Sequence, residues 1–277
     1  MKVRRDILRV VADTHIGSTI GLAHPDIILD DGLTIGLSKQ QRWLWEKWCE
    51  YWQWANSFRP RNGGKVYTVV NGDACDRPNH ESTAFITHNE AIIRRIAVEV
   101  LQPLRDHSDY FFMVRGTKPH TGPESSDEES IAELLEAERD PNTKTYSWWV
   151  LPISIGGVEF RFAHHCSMGQ RGWTFANAAN LIATETIFEY AQYRQQPPDW
   201  VIRSHAHRFA DSGRNFGVHA IVTPAWQLAT PFGHRIAPDK LAHIGGLVFV
   251  IENGIAQMFD KRFLPDRQEP WKEGQRG

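Results

Sequence analysis

The sequence predicts an α/β protein: two β-sheets packed face to face, with helices on their outer faces. Three observations predict this. The first half alternates short apolar strands with helical stripes, and the second half is rich in strands. The strands that matter most end in Asp, His or Gly, as do strands that deliver side chains to one edge of a sheet. At 277 residues, 41% hydrophobic and 23% charged, the chain has the composition of an ordinary globular protein able to build a core.

Residues 7–12 form a short apolar run that ends in Asp13, and read as a buried strand. Residues 17–37, punctuated by Gly, Asp and Pro, read as a loop. Ser38 opens a helix that runs to about Phe58, where Pro60 and Asn62-Gly63-Gly64 end it. On that helix residues 44, 45, 48, 51, 52 and 55 share one face, which reads as packing on a sheet. Trp43 and Trp54 fall off that face; core packing or partial exposure is the first reading for them, with base stacking or a homo-oligomer contact as the alternatives. Residues 65–70 form the second strand and lead into Asn71-Gly72-Asp73. Residues 88–101 carry a helical apolar stripe, and Tyr110 to Val114 form the third strand.

Ser126 and Glu129 have capping-box spacing ahead of Ile131, Leu134 and Leu135. The acidic run 124–129 therefore reads as a solvated helix N-terminus. Gly156-Gly157 joins two strands, 148–155 and 158–163, into a hairpin. Residues 175–193 read as a helix and 200–203 as a strand. Further strands fall near 217–222, 246–251 and 254–259. The domain is expected to span 1–260, followed by a charged, poorly ordered tail over 261–277.

A formal net charge of −2 argues against a surface coated in basic charge for non-specific nucleic-acid binding. Three cysteines with no CxxC pair fit free thiols in a reducing compartment. With no signal-peptide pattern and no apolar run near the roughly 20 residues of a membrane span, the expectation is a cytoplasmic location without membrane contact.

The chemistry lies in five stretches: Asp13-Thr14-His15, Gly72-Asp73-Ala74-Cys75-Asp76, Arg115-Gly116-Thr117-Lys118-Pro119-His120, His164-His165, and Ser204-His205-Ala206-His207. Carboxylates and imidazoles so grouped suit hard or borderline divalent metals. Their order resembles the calcineurin-like metallophosphoesterase superfamily, whose pattern is DxH, GDxxD, GNH(D/E), H and GHxH. The resemblance covers roughly residues 6–260. It implies a four-layer α/β/β/α sandwich of two mixed β-sheets flanked by helices, holding two divalent metal ions, with Mn2+ first and Zn2+, Fe or Ni2+ as alternatives.

By that resemblance Asp13, His15 and His207 hold one ion, His205 and His165 hold the other, and Asp73 bridges them. His165 is preferred to its neighbour His164, which is given a hydrogen-bonding role at the strand end. Asp76 reads either as a group orienting a ligand or as a loop cap. Thr117 stands where the family has a ligating Asn, so its hydroxyl, a backbone carbonyl or a water is left for that position. His120, two residues later than the family's His, is the candidate acid. Arg77, Lys118 and Arg171 are candidates for holding phosphate oxygens or ordinary surface charges. Cys75 and Cys166 lie within motifs but are not assigned as ligands.

The implied reaction is hydrolysis of a phosphate ester by hydroxide generated at the metal pair, with His120 protonating the leaving oxygen. Asp13-Thr14-His15-Ile16-Gly17 resembles the DxHxG of the Mre11/SbcD nucleases. Arg-Gly-Thr-x-x-His resembles a variant in phage-type members, and Gly72 to Arg77 resembles the GDxxDR of Ser/Thr phosphatases. A phosphodiesterase or DNA nuclease is the first expectation. A phosphomonoesterase acting on phosphoprotein or nucleotide, and an inactive binding module of the same fold, are the alternatives.

Overall fold

The structure, a computed structural model, describes residues 3–78, 83–166, 174–236 and 239–267. Strand β1 (Arg5–Val11) is followed by a small hairpin, β2 (Ile27–Ile28) and β3 (Thr34–Ile35), and by helix α1 (Lys39–Ala55). Next come β4 (Val66–Asn71), α2 (Glu90–Asp106), β5 (Tyr110–Val114), the single turn α3 (Lys118–Thr121), α4 (Ser126–Leu134) and β6 (Ser147–Trp148). The second half runs β7 (Leu151–Ile155), β8 (Val158–Phe162), α5 (Asn177–Gln192), β9 (Trp200–Arg203), β10 (Ala210–Asp211), β11 (His219–Val222), α6 (Pro231–Ile236), β12 (Ile244–Glu252) and β13 (Ile255–Phe263).

Two mixed sheets result. One has the order β13-β12-β1-β4-β5-β6, with β1, β4, β5 and β6 parallel and β12 antiparallel to both of its neighbours, β1 and β13. The other has the order β10-β11-β9-β8-β7, with β8, β9 and β11 parallel. Side-chain alternation explains the layering. Leu8 and Val10 point between the sheets, where they meet Val69, Phe160, Phe162, Trp200, Ile202 and Phe249. Ile7 and Val11 point the other way, toward α1, α2 and α4. Ala179 and Ala183 of α5 close the outer face of the second sheet. This is the predicted four-layer α/β/β/α sandwich.

Helix α1 begins as its sequence dictates. Ser38 Oγ accepts from the Gln41 amide while Gln41 returns its side-chain oxygen to the Ser38 amide, a complete capping box. Leu44, Trp48, Tyr51 and Ala55 are buried, and Trp43, Trp45, Trp52 and Trp54 are half-buried against the same core. No helix among the described residues is long and apolar enough to cross a membrane.

The structure corrects the local reading in five places. The loop 17–37 contains the β2–β3 hairpin, turned at Asp31-Gly32, and buries Leu22, Ala23 and Ile27. Residues 148–155 are not one strand, because Trp148 pairs with β5 in the first sheet while Leu151 begins β7 in the second. The 88–101 stripe continues to Asp106 through Pro103. Lys261 to Phe263 belong to β13, paired with Ile244 to Gly246, and the rest of the expected tail is described only to residue 267. Lastly, α4 has Ser125 at its N-cap with no side-chain cap bond, and Glu129 instead accepts from the Tyr146 and Ser147 amides.

Candidate metal centre

The parallel strands β1, β4, β5, β8 and β9 end along one edge, and the five motifs follow directly from those ends. The loops after β1 and β4 run side by side. The Asp13 amide donates to the Gly72 carbonyl, and the His15 amide to that of Asp73. Asp13, His15, Asp73, His205 and His207 all have positive φ, between 42° and 74°. Non-glycine residues rarely sit there, each at a cost of about 1–3 kcal/mol, and such strain concentrates at functional sites. Two glycines let the pieces close. A Cβ on Gly72 would lie 2.3 Å from His164 Nδ1, and one on Gly116 would lie 2.2 Å from Asp73 Oδ1.

Side chains gather there into two adjoining triads and a third group, His15, Asp76 and His120, that shares His15 with the first. Asp13, His15 and His207 form one, and Asp73, His164 and His205 the other; within each, the candidate ligand atoms lie within 4.8 Å of one another. In the first, His207 Nε2 is 3.3 Å from Asp13 Oδ1 and 3.1 Å from His15 Nε2. In the second, His164 Nε2 is 3.0 Å from Asp73 Oδ2, and His205 Nδ1 is 3.9 Å from it. Asp13 Oδ1 lies 3.9 Å from His164 Nε2, joining the triads.

Burial penalises charge on both carboxylates. Even so, His164 and His207 hold Asp13 below the usual range, and His164, His205 and His15 hold Asp73 well below it. Burial keeps the His15 pKa low, so that its imidazole is neutral. Burial also opposes charge on His164, but Asp73 and Asp13 overcome it and push its pKa up to about 10. Asp13 Oδ1 and His164 Nε2 are buried and, among the described residues, have charged neighbours but no hydrogen-bond partner of good geometry. Buried polar atoms left this way are costly, and a divalent cation would satisfy them. The mixed oxygen and imidazole donor set fits such an ion.

His164, and not the expected His165, joins Asp73 and His205. Strand alternation is the reason: Val158, Phe160 and Phe162 are buried, the same parity brings His164 inward, and His165 is exposed. His164 Nδ1 pairs with the Asn71 carbonyl at 2.8 Å, which turns Nε2 toward the carboxylates. Among the described residues, His165 makes a ring contact with His205, 4.6 Å between centroids.

Thr117 holds the Asp73 carboxylate. Its amide donates to Oδ1 at 2.7 Å, and its hydroxyl lies 3.1 Å from both oxygens. Asp76 stands between two histidines, with Oδ1 2.8 Å from His120 Nδ1 and Oδ2 3.6 Å from His15 Nδ1; Gln227 also donates to it. Burial lowers the His120 pKa, but Asp76, Asp73 and Asp13 raise it above the ordinary value.

Arg77 is held by Asp127 at 3.0 Å and Glu90 at 2.5 Å. Lys118 is exposed at the start of α3, and Arg171 lies outside the described residues. Cys75 and Cys166 are buried free thiols; Cys166 donates to the Ser204 carbonyl.

The acidic run at α4 is not simply solvated. Asp127 and Glu128 are buried, and Asp127 pairs with Arg77 and Arg94. Glu128 accepts from the Ala74 amide at 3.0 Å and from the Gly116 amide, so that it clasps the loops carrying Asp73 and Thr117. Its only sequence signal is an acid that could equally be a dipole-favoured surface residue. Burial and the Asp73 charge push its pKa up to about 7.

Glu128→Ala is expected to lower the unfolding temperature of the metal-free protein, because two buried amides lose their acceptor at about 1–3 kcal/mol each. A raised carboxyl contributes stability that is complete below its unfolded pKa of 4.5 and is lost as pH rises through about 7. The difference from wild type should therefore be larger at pH 5 than at pH 8 in thermal melts. Equal melting temperatures at pH 5 would show that there is no clasp.

Motif order, strand-end placement and two adjoining Asp/His triads decide the likeness. In motif order and layered α/β/β/α architecture the chain resembles the metallophosphoesterases. No protein-family model matches it, and no curated protein matches it. Among solved structures, this chain is similar to vacuolar protein sorting 29 from Cryptosporidium parvum, with TM-score 0.42 and 11% identity over 95% of this chain and 100% of that one. A hypothetical protein from Pyrococcus horikoshii OT3 aligns with TM-score 0.44 and 10% identity over 94% and 89%. A conserved uncharacterized protein from Streptococcus pneumoniae, described as a predicted phosphoesterase, aligns with TM-score 0.37 and 9% identity over 93% and 98%. Likenesses this distant say nothing about activity.

Proposed function

We propose that this chain is a dinuclear-metal-dependent phosphoesterase acting on phosphodiesters, with DNA as the first substrate to test. The observation that carries the reading is the pair of triads, Asp13/His15/His207 and Asp73/His164/His205, joined through Asp13 and containing buried ligand atoms that have close charged neighbours but no hydrogen bond among the described residues. Two divalent ions held there, Mn2+ first among the candidates, would supply Lewis acidity and water activation.

The chain's own residues then have distinct tasks. Thr117 and Glu128 fix the position of Asp73. Asp76 fixes the His120 ring through Nδ1, and the carboxylates around His120 favour its protonated form, so that it can deliver a proton to a leaving oxygen.

Diesters are favoured over monoesters by the state of Arg77. A bidentate guanidinium grip on a terminal phosphate is the contact Arg77 would offer a monoester, and Arg77 is engaged by Asp127 and Glu90 instead.

The test is hydrolysis of bis-p-nitrophenyl phosphate beside p-nitrophenyl phosphate, by chelator-treated protein with and without Mn2+. Faster Mn2+-dependent turnover of the diester is the expected result. Turnover of the monoester alone would replace this reading with a phosphomonoesterase. Two bound ions with no turnover of either would leave a metal-binding module.

A further inference from the structure

Away from the metal centre, a cavity of about 250 Å3 lies between α1, α2 and the first sheet. Its walls include Trp45, Trp48 and Trp52 of α1 and Val100 and Leu104 of α2, with Cys49 and Asn56 also lining it. Arg9 lines it from β1. Alternation on that strand sends Ile7, Arg9 and Val11 to the helix side of the sheet, so a cation is carried into an apolar layer.

Arg9 is only 3% exposed. Among the described residues its Nε has no hydrogen-bond partner and its guanidinium forms no ion pair. Its one hydrogen bond among the described residues, from Nη1 to the His107 carbonyl just past α2, is long at 3.4 Å. Its guanidinium carbon lies 6.0 Å from the centre of the Trp52 ring. Trp52 Nε1 is buried and unpartnered as well.

Both orphans are donors that cannot accept, and a guanidinium stays protonated. An unpaired buried charge is costly, so what this cavity lacks is an acceptor, preferably an anionic one. The flat indole walls suit an aromatic body, and the volume is just under that of drug-sized pockets, which limits the guest to one or two rings.

We propose that this cavity is a binding site for a small aryl carboxylate, whose carboxylate sits on Arg9 and Trp52 Nε1 and whose ring lies among Trp45, Trp48 and Trp52. The site is separate from the metal centre, and its test does not depend on hydrolysis.

Cys49 supplies the readout. It is an exposed free thiol lining the cavity, whereas Cys75 and Cys166 are buried. Alkylation of Cys49 by N-ethylmaleimide, followed by mass spectrometry, is measured against increasing indole-3-acetate and against its neutral isostere indole-3-acetamide. Isothermal titration of both probes gives affinities.

The acid should protect Cys49 at concentrations about tenfold or more below those the amide needs, the gain expected of a charge-assisted hydrogen bond. Arg9→Met, which keeps the packing but removes the charge, should bring the acid down to the amide and leave the amide unchanged. No protection by either probe, equal protection by both, or an undiminished preference for the acid in Arg9→Met would each overturn the proposal. The comparison in the wild-type protein stands even if the variant fails to fold.

Discussion

Asp73→Asn is expected to cut metal-dependent phosphoester hydrolysis by about a thousandfold or more, equivalent to about 4 kcal/mol of transition-state stabilisation. Asn is the informative substitution. Position 73 has φ 50°, a conformation Asn adopts readily and Ala does not, so the backbone should hold. The side chain keeps its shape beside the Thr117 amide and hydroxyl, and what disappears is the charge and one acceptor oxygen. That charge faces His164 at 3.0 Å and His205 at 3.9 Å, the two histidines of its own triad, so its loss should empty that half of the site first. Metal content should fall below two ions per chain, while the circular dichroism spectrum stays that of the wild type. Activity within tenfold of wild type would remove Asp73 from the centre of the mechanism.

The likeness in motif order was legible because each motif directly follows a strand, and strands show as apolar β-branched runs. Asp13 after residues 7–12 and Asp73 after residues 65–70 could be placed at the same sheet edge with no knowledge of tertiary structure. What escaped depended on parity or on distant partners. The choice between His164 and His165 turns on which way β8 faces the first sheet; counting in twos from Val158, Phe160 and Phe162 would have found it. Glu128 could not be found by counting, since its meaning lies in two amides, at Ala74 and Gly116, that come together only in the fold. Nor does anything local to residues 148–151 announce that the chain leaves one sheet and enters the other.

The His164-His165 pair gives the second large effect, because the two residues differ in one respect that can be measured. His164→Ala should weaken metal binding by about a hundredfold or more and reduce turnover with it, whereas His165→Ala should retain both within a few-fold. In the metal-free protein, Asp73 and Asp13 overcome the cost of burial and push the His164 pKa up to about 10, from 6.5 when exposed. The sign follows for each state. A raised histidine contributes stability that is complete below pH 6.5 and is lost as pH rises through about 10, so the metal-free protein should melt at lower temperature as pH climbs through that window. A metal ion taken up at Nε2 must displace the same proton, so apparent affinity should rise by up to about tenfold per pH unit below pH 10, with proton release measurable by titration calorimetry in buffers of different ionisation enthalpy. His15, neutral through burial, and the two carboxylates, held below their usual range, do not compete for protons in that window. Opposite pH trends for the metal-free protein and for metal uptake, both abolished in His164→Ala and both kept in His165→Ala, are therefore the signature of a metal seated on His164. The reverse assignment of these effects would return that role to His165 and mean that the buried ring of His164 serves only to hold Asp73 to Asn71.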